Sequence, residues 1–135
     1  MLTRATRPLP DPDTEAYWEA ARQHRLLIKR CRACGAAHFY PRPFCPSCWS
    51  DDVAWEEASG RATLYTYSIV RRNDVPPFDE RVPYAAAIVD LAEGPRMMTN
   101  IVGWEDVELH IGMDLVVDFR DEDPELSVPV FRVAS

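Results

Sequence analysis

From Arg61 onward the chain alternates between apolar and polar positions. In RATLYTYSIVR, Ala62, Leu64, Thr66, Ser68 and Val70 share one face and Thr63, Tyr65, Tyr67 and Ile69 the other, the period of a half-buried strand. A proline-containing loop over 73–81 follows, then VPYAAAIVDLAEG (82–94), a second strand that ends in a turn. RMMTNIVG (96–103) predicts a third strand, and WEDVELHIGM a turn or short helix. DLVVDF predicts a fourth strand, the acidic DEDPEL a loop, and VPVFRV (128–133) a fifth strand. Five short strands with an insert after the third predict an OB-fold barrel, with a small barrel of SH3-like type as the competing architecture.

The first sixty residues have a different texture. Residues 1–10 are aperiodic and carry two prolines. DPDTEAYWEAARQHR predicts a helix: Asp11, Asp13 or Thr14 caps it, Pro12 suits a first turn, and Tyr17, Ala20, Ala21 and His24 form one broad face beside Trp18. LLIKRC (26–31) predicts a strand and AAHFY (36–40) its return. PRPF leads on to CPSC, and Ser59-Gly60 marks a boundary before the β-rich half. The chain thus divides into a tail and helix (1–25), a ribbon (26–58) and a barrel (59–135), a mainly β protein.

All four cysteines lie in the ribbon, as Cys31-x-x-Cys34 and Cys45-x-x-Cys48. Two residues between cysteines let a tight turn aim both sulfurs at one ion, so two such knuckles predict one tetrahedral site. Gly35 supplies the positive φ that closes the first knuckle, and Pro46 fixes φ in the second. Four thiolates on a divalent ion leave a net charge of about −2, which Lys29, Arg30, Arg32 and Arg42 flank in sequence. Four sulfurs leave no open coordination position, so the expected ion is one structural zinc, not a catalytic one. Iron of rubredoxin type competes and would make the chain an electron carrier. Two disulfides would need an oxidising compartment. The N-terminal residues have no apolar h-region, which predicts a cytoplasmic protein.

The formal charge of −7 is uneven. Residues 1–60 hold 8 basic and 8 acidic side chains, residues 61–135 hold 7 and 14. An acidic barrel repels phosphate backbones, which argues against nucleic acid even though Tyr65 and Tyr67 offer stacking surfaces. No apolar run approaches ~18 residues, so no membrane span is expected.

Parts for autonomous catalysis are scarce. His24, His38 and His110 have no ligand spacing and no neighbouring nucleophile motif. The acid pairs Asp51-Asp52, Asp79-Glu80, Glu105-Asp106 and Asp121-Glu122 read as solvated surface. Phe39, Tyr40, Phe44 and Trp49 crowd the metal loops in excess of what a ribbon can bury, which predicts a partner-facing group among them. Arg71 and Arg72 at the end of the first barrel strand, with Asn100, are candidates for an anionic ligand.

YWEA, CxxCG, YPRPFCPSC, DLAEGPRMMTNIVG and VPVFRVA together resemble one family over about residues 13–134. It is the bacterial and archaeal family with a rubredoxin-like zinc ribbon and an OB-fold, formerly a domain of unknown function and tied to acyl-CoA metabolism. The resemblance implies that Cys31, Cys34, Cys45 and Cys48 hold zinc. It also implies a non-catalytic subunit that binds acyl-CoA and docks on a thiolase, a hydroxymethylglutaryl-CoA synthase, a thiolase-like aldolase of steroid side-chain breakdown, or a MaoC-type hydratase.

Overall fold

The computed structural model describes residues 2–4 and 6–134. A short helix, α1 (Glu15–Arg22), precedes a three-stranded ribbon, β1 (Leu27–Cys31), β2 (Ala37–His38) and β3 (Val53–Glu57), in the order β2-β1-β3. Five strands then close a barrel: β4 (Arg61–Val70), β5 (Tyr84–Leu91), β6 (Arg96–Val102), β7 (Asp114–Asp123) and β8 (Leu126–Val133). Their order, β4-β5-β6-β8-β7, with β6 parallel to β8 and the other neighbours antiparallel, is the OB arrangement rather than the SH3-like one.

The helix is shorter than the periodicity predicts. Asp11, not a cap on the first turn itself, organises the entry: its Oδ1 accepts from the backbone N–H of Asp13 and Thr14 at 2.9 Å each. Tyr17, Ala20 and Ala21 are buried as expected. His24 leaves that face because its φ is +58° and the helix has already ended. Its ring instead stacks on Phe119 of β7 at 5.0 Å, and Nε2 lies 2.8 Å from Asp121. With the ion pair between Arg7 and Asp123, this pins the N-terminal segment to the barrel wall.

Two expectations in the barrel are corrected. The alternation in β4 does not run through, because a bulge between Leu64 and Thr66 shifts the register. Ala62 and Leu64 face the core before it; Tyr67 and Ile69 pack against the core after it. The acidic run 121–126 is not all loop either: β7 continues to Asp123 and β8 starts at Leu126, so only Pro124 and Glu125 turn. Their pairing (Arg120↔Val128, Asp121↔Ser127) buries groups that looked solvated.

Ribbon and barrel share one core. Tyr17, Leu26 and Ile28 lie in the same buried cluster as Leu64, Val89, Leu115 and Phe131. Each such side chain contributes about 1.5–3 kcal/mol by leaving water, so the ribbon is bonded to the barrel by packing and not by a linker alone. Gly60 makes the junction: its φ is +86°, and a Cβ there would stand 2.6 Å from Cγ1 of Val117.

Candidate functional site: metal knuckles and a barrel-wall groove

The two knuckles repeat one geometry. Gly35 N–H donates to the Cys31 carbonyl at 2.9 Å, and Trp49 N–H to the Cys45 carbonyl at 2.8 Å. Gly35 has φ +80° and Trp49 +66°, so both positions after the second cysteine are left-handed. The sulfurs of Cys31 and Cys48 are 3.6 Å apart, those of Cys34 and Cys45 3.7 Å, and all four lie within 4.8 Å of one another. Zinc–sulfur bonds of about 2.3 Å in a tetrahedron need sulfurs about 3.8 Å apart, so the residues fit one zinc ion. A backbone N–H from Cys34 holds the Cys31 thiol below its ordinary value. For Cys45, burial raises the thiol, but N–H groups of Cys48 and Ser47 outweigh it and bring it to about 7. Cys48 moves the other way: the Ser50 N–H lowers its thiol, but Cys31 and burial outweigh that and push it up, so all four sulfurs become thiolates together only around a bound cation.

The cations flanking the knuckles are largely spent elsewhere. Arg30 pairs with both oxygens of Glu56 (2.9 and 3.0 Å) and donates to the Gly35 carbonyl. Arg32 pairs with Asp52, and Lys29 lies 4.6 Å from the Trp55 ring centroid. These contacts tie β1 to β3, a strand that VAWEE carries without clear alternation.

The four aromatic residues of the metal loops divide into two pairs. Phe39 and Tyr40 belong with α1: Tyr17 stands 5.7 and 5.3 Å from their rings, and Trp18 Nε1 donates to the Tyr40 hydroxyl at 2.9 Å. Phe44 and Trp49 stack on each other at 5.3 Å, and Trp49 is 74% exposed. An exposed tryptophan held in a backbone conformation that favours glycine is the unusual feature of this end of the molecule.

A groove of about 740 Å³ opens on the barrel wall. The parallel pairing of β6 with β8 involves only Ile101↔Phe131 and Val102↔Arg132. Beyond it stands Pro129, which has no N–H to give, and Thr99 bridges to its carbonyl through Oγ1 at 3.2 Å. The two strands thus part over the groove, which is flanked by the β4–β5 loop and the short turn Trp104–Asp106. Asn100 lines it, with Nδ2 donating to the Ala85 carbonyl at 3.1 Å. Arg71 and Arg72 do not line it; both are exposed, and Arg72 pairs with Asp74.

Sequence reasoning missed the charged group that does line it. Arg81 grips Glu122 with two bonds, 3.0 and 2.7 Å, and the Glu122 side chain is only 3% exposed. Arg120 stands 3.9 Å from the same carboxylate. Burial first, then the charge of Arg81, pushes the Arg120 guanidinium down from its ordinary value. The clue was positional: Glu122 lies two residues beyond DLVVDFR, and the continuation of β7 sets it two positions after Arg120, where it meets Arg81. The stacking surfaces proposed for nucleic acid are occupied. Arg96 covers Tyr65 at 3.6 Å, and Tyr67 packs on the core with its hydroxyl on the Leu109 carbonyl.

A four-sulfur ribbon is thus packed on an OB barrel with a groove in its wall, and comparison with known proteins finds the same two domains. Residues 18–54 match the family described as ChsH2, rubredoxin-like zinc ribbon domain, and residues 55–120 the family described as ChsH2, C-terminal OB-fold domain. A DUF35 domain-containing scaffold protein of Methanocaldococcus jannaschii is 36% identical over 108 residues, covering 76% of this chain and 74% of that one. This chain belongs to the ChsH2-type DUF35 family. A probable enoyl-CoA hydratase alpha subunit of Thermomonospora curvata is 42% identical over 133 residues, 97% of this chain. That relative is longer, and this chain spans 41% of its length. Among solved structures, the one described as Ltp2-ChsH2(DUF35) aldolase contains a similar chain at 42% identity and TM-score 0.83, with 96% of this chain and 100% of that chain covered.

Proposed function

We propose that this chain is the non-catalytic subunit of a thiolase-fold enzyme acting on acyl-CoA, a retro-aldolase such as those of steroid side-chain breakdown. The catalytic groups belong to the partner. The barrel contributes to the acyl-CoA site, and the zinc ribbon presents the stacked Phe44–Trp49 pair to the partner. The observation that carries this reading is the full-length likeness, at 42% identity, to a chain of a protein described as an aldolase that joins Ltp2 and a DUF35 component. The exposure and left-handed backbone of Trp49 support the docking role, because a surface strain of this kind persists where function holds it.

A second reading has its own support. The 42% identity to a hydratase alpha subunit favours the same accessory role beside a MaoC-type hydratase. Co-expression with a thiolase-fold aldolase and, separately, with a MaoC-type hydratase from the same genome tests both. Stable co-elution with the aldolase, and acyl-CoA cleavage that needs this chain, supports the first. Co-elution with the hydratase alone replaces it by the second. Turnover of any acyl-CoA by the isolated chain refutes both.

A further inference from the structure

We propose that Arg120 is the anion-receiving residue of the barrel-wall groove, taking the carboxylate or phosphate of an amphipathic ligand whose apolar body lies along β6 and β8. The inference deepens the acyl-CoA reading and rests on it for the kind of body. The anion site itself rests on geometry.

The argument starts from a mismatch in the charged group. Glu122 is nearly sealed from solvent, and its two oxygens are already engaged by Arg81 in a bidentate fork. That pair is complete. Arg120 brings a second guanidinium to the same place, yet its nearest carboxylate oxygen is 3.9 Å away, outside hydrogen-bond range. Among the described residues, the Arg120 guanidinium has no hydrogen bond. A guanidinium carries five N–H donors in a planar fork that matches carboxylate and phosphate. Its side chain is 31% exposed, so the fork is partly desolvated and still reachable from the groove. Two arginines against one buried glutamate leave one positive charge uncompensated at the groove. Glu105 also lines the groove, but it is exposed and its field is screened by solvent.

The surroundings select for an amphipathic ligand rather than a free ion. Phe78, Ile101, Val102, Trp104, Val128 and Pro129 wall the groove with apolar surface. The volume of about 740 Å³ lies within the roughly 300–1,000 Å³ of small-molecule sites. Met98 on the same rim is 77% exposed. Arg71 and Arg72, by contrast, are solvated, and Arg72 is neutralised by Asp74. They lack the desolvated setting in which a guanidinium gains affinity for an anion.

The test uses the zinc-loaded 135-residue chain, three probes of equal chain length (octanoate, octyl phosphate and octanol) and, as a fourth ligand, octanoyl-CoA. Binding is followed by amide NMR shifts and by calorimetry at low and high salt. The expected result is saturable binding of one or both anions, with shifts at Asn100 and Val102, weakened by salt and at least about tenfold tighter than octanol. Octanoate alone identifies a carboxylate site, octyl phosphate alone a phosphate site, and both a general anion site; each supports the proposal. Arg120→Met is expected to lose the anion preference, whereas the double variant Arg71→Met/Arg72→Met keeps it. Equal binding of octanol and the anions by the unmodified chain overturns the proposal, and no Arg120 variant need fold to establish that. Octanoyl-CoA that binds while shifting only ribbon or loop resonances leaves the acyl-CoA reading standing and removes Arg120 from it.

Discussion

Trp49 is where the fold accepts a local cost at the surface, and that cost can be measured. The second knuckle places Trp49 at φ +66°, the position that Gly35 fills at φ +80° in the first. A non-glycine residue in that region costs about 1–2 kcal/mol, and glycine's extra unfolded-state entropy returns about 0.5–1. The stack on Phe44 offsets part of this, about 0.5–1.5 kcal/mol for an aromatic pair and near the low end here because Trp49 is 74% exposed. Trp49→Ala loses the stack and keeps the strain. Trp49→Gly loses the stack and relieves the strain. The glycine variant is therefore expected to be the more stable of the two by roughly 1 kcal/mol, or about 3–5 °C in a chain of this size. Thermal unfolding followed by circular dichroism at saturating zinc reads the difference. Both variants are expected to weaken partner association alike. An alanine variant at least as stable as the glycine variant refutes the strain argument, and with it the reason given for retaining a tryptophan there.

Three further outcomes follow from other parts of the molecule. Gly60→Ala combines a left-handed φ with a Cβ 2.6 Å from Val117 Cγ1, so it is expected to cost about 2–3 kcal/mol; the double variant Gly60→Ala/Val117→Ala recovers part of that in denaturant titrations. Zinc removal by a competing chelator is expected to unfold the ribbon and lower barrel stability as well, because Leu26 and Ile28 sit in the shared core; unchanged unfolding with chelator in excess contradicts this. Asp121 is held below the usual carboxylate range by Ser127 and then His24, and Asp123 by Arg7. Because the folded values are the lower ones, their stabilisation is complete above the unfolded value of about 3.9 and is lost as pH falls through the folded values. Unfolding measured from pH 6 to pH 2 should lose stability less steeply in Asp121→Asn/Asp123→Asn, and an identical slope contradicts the two contacts.

Much of this architecture is written locally in the chain. CxxC spacing encodes the metal site directly, since each knuckle is a turn of a few residues whose geometry needs no distant partner. The strands of the barrel show their alternation where one face is buried, as in YAAAIVDL, whose odd-numbered residues from Ala85 to Leu91 are all interior. What stayed hidden depends on pairing between distant segments. The bulge in β4 falls between Leu64 and Thr66, just past Thr63, the last residue paired with β7, a place that only the two distant partner strands define. The buried Arg81–Glu122 pair joins residues 41 positions apart, and nothing near either one in sequence distinguishes it from a solvated charge. β3 is held by its register with β1 and by cross-strand contacts at Lys29 and Arg30, not by a pattern of its own. The division of Phe39 and Tyr40 from Phe44 and Trp49 likewise follows from where α1 lands on the ribbon.

Central to the account is that this chain works as a subunit. The most direct measurement is to recover the tagged chain from its native host, weigh the intact complex by native mass spectrometry, identify its components and assay acyl-CoA cleavage with and without the chain. The account predicts a stoichiometric complex with a thiolase-fold protein whose cleavage activity falls away when this chain is removed. A chain that cleaves acyl-CoA alone, or that returns bound to nucleic acid and to no acyl-CoA enzyme, contradicts it.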